Sequence, residues 1–438
     1  MDTGAAIALI AREGLLFAGI GFAIGGVDDL AVDLVYWLRR LLHGRAATPL
    51  ERLPLATEGG RMAVFIPAWD EASVIAAMLR TALERYRHPD YQLYVGVYPN
   101  DPATIAAVRD VRDPRVRMVV GDRPGPTTKA DCLNTLWRAL IAEDARPRAV
   151  VLHDAEDVVH PDELTVFDAL IGELDVVQLP VIPLIKPGSA TSAVYADEFA
   201  LSHGAHLPVR TALGAGMPLA GTGCAIATPM LARLAAERAE GPFDPASLVE
   251  DYELGLRIAA LGGRGRLAHI ADADSQPVAV RAYFPATLGA AVRQKTRWIT
   301  GIALLGWDRT GWSRRFAPID HWWRVRDRRT PLAMLVVAIG YAAMLAWLLA
   351  GRPALPPLTI ALLRGNAVLL GWRLAMRAWF TGRLHGRREA LLSVPRLLLG
   401  NLIAMLAAMR AMRTYLGWLA GTPLRWDKTA HEHPAALP

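Results

Sequence analysis

Four carboxylates in the middle of the chain stand where sequence and spacing suit metal binding and proton transfer. Asp154 and Glu156 follow the apolar run Ala149-Val150-Val151-Leu152-His153. A run this short reads as a buried parallel strand, and open α/β sheets bind ligands at the carboxyl ends of such strands. In extended geometry residues two apart share a face, so Asp154 and Glu156 point together and Asp157 points away. Such a pair suits a divalent cation, Mg²⁺ or Mn²⁺, with substrate phosphates completing the shell; an acidic loop after a strand can equally be merely solvated. Glu250 and Asp251 open a helix that stops at Gly262-Gly263. A carboxylate there is either a structural cap or an ionised base, because the helix dipole favours its charge. Gln294, Arg297 and Trp298 fall at i, i+3 and i+4 on a helix beginning near Ala286. That face offers a guanidinium for a pyrophosphate and an indole for a sugar, although a packed amphipathic helix shows the same spacing.

Lysine usage points to the same stretches. Only four of the 48 basic residues are lysines: Lys129, Lys186, Lys295 and Lys428. Against so strong a bias toward arginine, a retained lysine marks a need for a compact ammonium rather than a planar fork, as at a phosphate.

The elements that must position these groups begin near Arg61. Short apolar runs alternate with amphipathic stretches: Met62 to Ile66, Ala72 to Tyr86, Leu93 to Val97, Pro102 to Val111, Val116 to Val120, Lys129 to Ile141, then the acidic strand. This is a βαβαβαβ order and predicts a mostly parallel wound sheet. Pro67-Ala68-Trp69-Asp70-Glu71 follows the first strand where a dinucleotide fingerprint would have G-x-G-x-x-G, and no G-x-x-x-x-G-K-[ST] occurs, which excludes a Rossmann dehydrogenase and a P-loop ATPase. Glu71 and Asp101 stand at the ends of the first two strands, within reach of a base and ribose, or serve as acids at helix N-termini.

A hydrophobic fraction of 53% over 438 residues is too high for an ordinary soluble enzyme. Pro331 to Ala350 and Leu358 to Phe380 are long enough to span a bilayer, the second carrying Arg364, Asn366, Arg373 and Arg377. Ala5 to Val27 reads as a retained anchor, since no basic segment precedes it, and Asp28 to Trp37 as its interfacial extension. The net charge of +6 reflects arginines at membrane edges rather than nucleic-acid binding: Arg39 to Arg45, Arg324 to Arg329, Arg383 to Arg388. These groups predict a cytosolic middle segment. Ala390 to Leu419, interrupted by Pro395, Arg396, Arg410 and Arg413, reads as interfacial helices in preference to a third C-terminal span. Cys132 and Cys224 offer no disulfide framework and read as small buried residues.

Pro67-Ala68-Trp69-Asp70-Glu71, Asn100-Asp101, Lys129-Ala130-Asp131-Cys132-Leu133-Asn134, Asp154-Ala155-Glu156, Gly221-Thr222-Gly223, Glu250-Asp251 and Gln294-Lys295-Thr296-Arg297-Trp298 come in the order found in family 2 glycosyltransferases, which the chain resembles. Val97-Tyr98-Pro99-Asn100-Asp101-Pro102, Tyr195-Ala196-Asp197-Glu198-Phe199 and Trp426-Asp427-Lys428-Thr429-Ala430-His431 resemble the bacteriophage adsorption protein B subgroup. The resemblance runs from the first anchor to the tail. One departure is Tyr98-Pro99-Asn100-Asp101, where the family commonly has an Asp-Asp-Gly-Ser-like stretch.

The resemblance implies an α/β GT-A (nucleotide-diphospho-sugar transferase) wound sheet with N- and C-terminal transmembrane and interfacial helices. Its expected divisions are an anchor over 1–45, a cytosolic transferase domain over 46–330, membrane and interfacial helices over 331–420 and a gating tail over 421–438. It implies an inverting transfer of a sugar, an N-acetylhexosamine in the subgroup, from a UDP-sugar to a growing surface glycan or lipid-linked acceptor at the bacterial inner membrane, with an outer-membrane export partner. Nucleotide binding falls to Pro67, Glu71, Asp101, Lys129, Asp154, Gln294, Arg297 and Lys428. Mg²⁺ or Mn²⁺ falls to Asp154 and Glu156, and acceptor binding to Gly221, Thr222, Gly223 and Trp298. Asp251 is the implied base, beside Glu250, and Trp426, Lys428, Thr429 and His431 form a gate over the nucleotide. Two other classes stay open: a GT-A shell without turnover serving as an envelope scaffold or receptor component, and a polysaccharide transporter built around the charged span at Arg364 and Arg373.

Overall fold

The computed structural model describes residues 3–44, 47–54, 59–313 and 316–423. Four parallel strands lie in the order β3-β2-β1-β4: β1 (Met62–Pro67), β2 (Tyr91–Val97), β3 (Val116–Val120) and β4 (Ala149–Leu152). Beyond β4 the sheet continues through β5 (Val176–Gln178), β7 (Cys224–Ala227) and β8 (Gly265–Leu267), giving the full order β3-β2-β1-β4-β7-β5-β8. Strand β7 runs antiparallel to both β4 and β5. Strand β6 (Val181–Leu184) pairs separately with β9 (Val280–Tyr283).

Strands β1 and β4 at the centre are apolar at every position because helices cover both faces. Val64, Ile66, Leu93, Val95 and Val151 point into one layer with Met78, Leu79 and Phe167. Their strand neighbours Ala63, Phe65, Tyr94, Val150 and Leu152 point into the other with Leu133, Leu136 and Leu140. These last three belong to the helix Lys129–Ala142, which packs against β1 and β2. The wound order predicted from the sequence is therefore present. The antiparallel strand β7 was not foreseen, since its four residues Cys224-Ala225-Ile226-Ala227 carry no periodicity of their own.

Among the described residues, three helices are long and apolar enough to cross a membrane: Thr3–His43, Thr330–Leu349 and Pro357–Leu419. The first is continuous through Asp28 and Asp29, so the expected anchor and its extension are one helix. It runs antiparallel to Thr330–Leu349 at close range: a Cβ on Gly14 would stand 2.8 Å from Ala343 and one on Gly21 2.7 Å from Val336. Small residues of this kind let helices approach where no hydrophobic effect drives them together. The third helix breaks at Gly386 (φ 84°, ψ 172°) into arms 357–385 and 387–419.

The second arm is amphipathic in a particular way. Ser393, Arg396, Gly400, Ile403, Ala407 and Ala411 are buried at helical spacing, whereas Leu391, Leu398, Leu402, Met409 and Leu416 are exposed. Its buried face lies on helix Ala190–Leu201, on helix Leu288–Trp298 and on the π-helical turn Ile299–Leu305 that continues the latter. Small residues at 400, 407 and 411 permit that approach, and the large apolar ones are left facing outward.

Both arms are tied to the body that carries the sheet by one carboxylate. Asp197 is fully buried in helix Ala190–Leu201. It accepts from Arg377 Nη2 at 3.0 Å and Thr381 Oγ1 at 3.1 Å on the first arm, and from Arg396 Nε at 2.9 Å and Nη2 at 2.8 Å on the second. Replacing Asp197 by Leu strands two buried guanidinium groups and is expected to cost about 3–5 kcal/mol. Thermal unfolding of the full chain in lipid nanodiscs measures this: the Asp197→Leu midpoint drops by several degrees and Asp197→Asn falls between. A wild-type midpoint for Asp197→Leu contradicts the clamp.

Candidate active site

The carboxyl ends of the central strands open onto a cavity of about 850 Å³. Lys129, Asp154, Glu156, Thr222, Glu250, Asp251, Gln294, Arg297 and Trp298 all line it. Residues scattered over 170 positions of sequence are thus gathered by the end of β4, the loop before β7, two helix starts and the C-terminal turns of helix Leu288–Trp298.

Strand β4 ends at Leu152, and residues 155–156 form a turn. Extended geometry therefore stops short of the acids, and the expectation that Asp157 points away is not met: Asp154, Glu156 and Asp157 all line the cavity. Asp157 folds back so that its Oδ2 accepts the Asp154 N–H at 2.8 Å.

Lys129 is the first residue of its helix, after the cap Thr128, whose side chain accepts the Asp131 N–H. Its ammonium donates to Asp154 and, at 2.9 Å, to the carbonyl of Gly221. Burial alone would lower its pKa, but Asp154, Glu250 and Asp251 together hold the charged form well above its ordinary value. Asp251 sits on the first turn of Glu250–Ala260, its Oδ1 accepting the Tyr252 N–H at 2.7 Å. Desolvation, and then the neighbouring Glu250 charge, push its carboxyl up to about 7, with Lys129 pulling the other way.

The loop 220–223 closes the space between these two groups. Gln178, fully buried at the end of β5, accepts the Ala220 N–H at 2.9 Å and donates to the Thr222 and Gly223 carbonyls at 2.8 and 3.1 Å. Gly221 has φ +78°, and a Cβ there would stand 2.6 Å from Asp251 Oδ2. Gly223 has φ +60°, and its Cβ would meet Val280 at 2.5 Å. Both positions need glycine for backbone reasons and for closeness.

Gln294 and Arg297 reach the cavity from helix Leu288–Trp298. Trp298 lines it too, while its ring also packs edge-on against Tyr195 at 6.1 Å and obliquely against Phe199 at 6.4 Å. Pro67, Glu71 and Asp101 stand at the ends of β1 and β2 but do not line the cavity. Asp101 caps helix Pro102–Arg109 through Thr104 N–H at 3.2 Å and accepts the Asp70 N–H at 2.6 Å. The Glu71 N–H donates to Thr104 Oγ1 at 3.0 Å. Trp426, Lys428, Thr429 and His431 lie outside the described residues.

The sequence reading missed the far wall. The cavity reaches Asp29 of the first helix, Arg326 and Arg329 before the second, and Arg373 within the third. Asp29 Oδ1 accepts from Arg326 at 2.9 Å and Arg329 at 2.6 Å, and Asp28 accepts from both. The signal was the matching of two adjacent acids in an apolar helix with an arginine cluster ahead of another. At the nearer side His153, Asp157 and Glu163 form a buried network that no motif spacing announces.

Among the described residues no group of three or more His, Cys, Asp or Glu has the arrangement of a metal centre. Asp154 and Glu156 nonetheless supply two carboxylates on one cavity wall, which is the usual protein share for Mg²⁺ or Mn²⁺ bound with substrate phosphates, so the donor set fits a divalent ion.

A parallel-dominated sheet with acids at the central strand end and a helix-borne carboxylate across the cleft defines a GT-A nucleotide-diphospho-sugar transferase fold. The family model described as Glycosyltransferase like family 2 matches residues 60–301, more than half of the chain, and the chain belongs to that family. It is 34% identical over 458 aligned positions to Bacteriophage adsorption protein B of Escherichia coli (strain K12), and equally to Bacteriophage N4 adsorption protein B of Escherichia coli O157:H7. Those alignments take in 94% of this chain and 61% of each relative, so the chain spans about three fifths of the relatives' length. The mannosyltransferase PcManGT from Pyrobaculum calidifontis, solved in complex with GDP-Man and Mn²⁺, matches with a TM-score of 0.57 at 19% identity, over 87% of this chain and 99% of its own.

The closeness of Gly221 to Asp251 is directly testable. Gly221→Ala must place a side chain at φ +78°, at a cost of about 1–2 kcal/mol, and push the Asp251 carboxylate aside. Sugar transfer by this variant is expected to fall about a hundredfold, with circular dichroism unchanged. An unaltered turnover would mean that Asp251 is not held against this loop during the reaction.

Proposed function

We propose that the chain is an inverting, metal-dependent glycosyltransferase of the bacterial inner membrane. Its catalytic domain faces the cytosol, and it moves a sugar, an N-acetylhexosamine, from a UDP-sugar to a growing surface glycan or lipid-linked acceptor. The observation that carries this reading is Lys129, whose ammonium touches Asp154 and the Gly221 carbonyl while Gly221 abuts Asp251. Donor-side acid and candidate base therefore surround one point. The three apolar helices and the arginines at their edges support the membrane setting.

In this reading Asp154 and Glu156 hold the divalent ion, which when bound neutralises charge on the departing diphosphate. Lys129, Gln294 and Arg297 orient the diphosphate, with Pro67, Glu71 and Asp101 at the adjoining strand ends on the side of the base and ribose. Asp251 takes the proton of an acceptor hydroxyl as that oxygen bonds to the anomeric carbon from the face opposite the leaving group. The bond between that carbon and the diphosphate oxygen breaks, and the configuration inverts. Gly221, Thr222, Gly223 and Trp298 form the acceptor side. The tail segment with Trp426, Lys428, Thr429 and His431 is assigned to closing the nucleotide site against water.

The names of the relatives favour a second reading, a receptor component for phage adsorption in which the GT-A domain does not turn over. The two readings part on catalysis. With Asp251 as base, kcat/KM falls tenfold for each unit of pH below about 7, where the carboxyl is protonated, and levels above it. Asp251→Asn should bind nucleotide nearly normally, transfer on the order of a thousandfold more slowly, and lose that acid limb. Rapid transfer by Asp251→Asn removes the residue from the reaction, and the absence of transfer by wild-type membranes with any labelled nucleotide sugar favours the receptor reading.

The metal is tested separately. Asp154→Ala, at a strand end and outside the packed core, is expected to abolish Mn²⁺-dependent UDP binding in calorimetry while leaving the thermal midpoint within a few degrees. Undiminished Mn²⁺-dependent binding would remove Asp154 from the metal site.

A further inference from the structure

Behind the cavity wall lies a chain of buried polar groups that the proposed reaction does not use. His153 is fully buried between two carboxylates: its Nδ1 lies 2.9 Å from Asp157 Oδ2 and its Nε2 2.7 Å from Glu163 Oε1. Each ring nitrogen thus meets a carboxylate oxygen, so the ring bridges Asp157 and Glu163.

The two carboxylates are anchored on opposite sides. Glu163, fully buried, also accepts from Tyr86 Oη at 2.6 Å and from the His160 N–H at 3.2 Å, which fixes it to the body of the domain. Asp157 Oδ2 faces the cavity loops instead. Besides His153 it accepts the Asp154 N–H at 2.8 Å and the Thr222 hydroxyl. One oxygen thus gathers the ring, the backbone of the acidic loop and a side chain of the 220–223 loop. Without the ring, Asp157 loses the contact that fixes its orientation toward both loops and is left buried with one partner fewer.

We infer that His153 is a positioning residue which, through Asp157, locks the Asp154 loop to the Thr222 loop and so sets donor and acceptor sides of the active site in one register. Its effect on metal binding rests on the reading of Asp154 and Glu156 as holders of a divalent ion. The register itself does not, because both hydrogen bonds to Asp157 are made by the protein alone. A strand-end histidine that only filled the core would need neither flanking carboxylate.

The test uses the full chain in lipid nanodiscs. In His153→Gln, which can donate to one carboxylate but not both and carries no charge, amide hydrogen exchange in peptides 153–158 and 219–223 is expected to accelerate together by at least about tenfold, with strand 62–67 still protected. The Mn²⁺ concentration for half-maximal transfer rises about tenfold or more. Asp157→Asn keeps the side-chain shape and is expected to loosen the same two peptides, so a folding defect in one variant does not leave the matter open. The inference is overturned if the two loops respond independently, if exchange stays at the wild-type rate in both, or if both variants lose protection in strand 62–67 as well, which is the behaviour of a general core residue. Wild-type transfer that is indifferent to divalent ions sinks the metal reading alone, and the exchange experiment still decides the clasp.

Discussion

A buried charge that answers two separate helical arms holds this molecule in one piece. Asp197 has no solvent, and its two oxygens are shared among Arg377, Thr381 and Arg396. An apolar contact at the same place would tolerate sliding of one arm over another. A carboxylate meeting guanidinium groups from both sides of the Gly386 break does not, because any shift leaves a charge unpaired in a low-dielectric interior. The helix bearing Asp197 also presents Glu198 to Lys295, which lies in the same turn of helix as Gln294 and Arg297. The position of the arms is thereby transmitted to residues that line the cavity.

The basic residues are divided by the geometry each can make. Arg326 and Arg329 use their planar forks to bridge Asp28 and Asp29 on the first helix, and Arg210 meets both oxygens of Asp327 at 2.9 Å. Lysine stands where a compact ammonium must answer acceptors in several directions. Lys129 has Asp154 and the Gly221 carbonyl, and Lys295 has Glu198 and the face of Tyr195 at 5.3 Å. The scarcity of lysine in the sequence was thus informative at these two positions.

Elements whose signal is local were legible. Strands β1 and β4 are continuous apolar runs and β2 and β3 are each interrupted by one polar residue, Gln92 and Arg117; the helix over 250–260 is stopped by Gly262 at φ +81°, and the stripe Gln294, Arg297, Trp298 follows from helical spacing alone. Strand β7 was not legible, because a four-residue strand takes its direction from partners 75 positions away. The orientation of Asp157 was misread by carrying strand periodicity past Leu152 into a turn. The network of His153, Asp157 and Glu163, and the pairing of Asp28 and Asp29 with arginines about 300 residues later, depend on tertiary approach and leave no periodic trace.

The electrostatics of the cavity bear on why a divalent ion suits it. Asp154, Glu156, Glu250 and Asp251 all line the cavity, and burial, followed by the neighbouring Glu250 charge, already lifts Asp251 toward neutrality. On the proposed reading, a nucleoside diphosphate bound beside them would add negative charge at short range, which taken alone would raise Asp251 further and leave it protonated, unfit for the role of base. Lys129 cannot offset this unaided, since its single charge is already committed to Asp154. On the proposed reading, a divalent ion held by Asp154 and Glu156 would supply positive charge that compensates a diphosphate, and that added positive charge would favour the ionised form of Asp251. Asp154 and Glu156 at the strand end and Asp251 on the helix would then be coupled through charge as well as through the glycine loop that separates them.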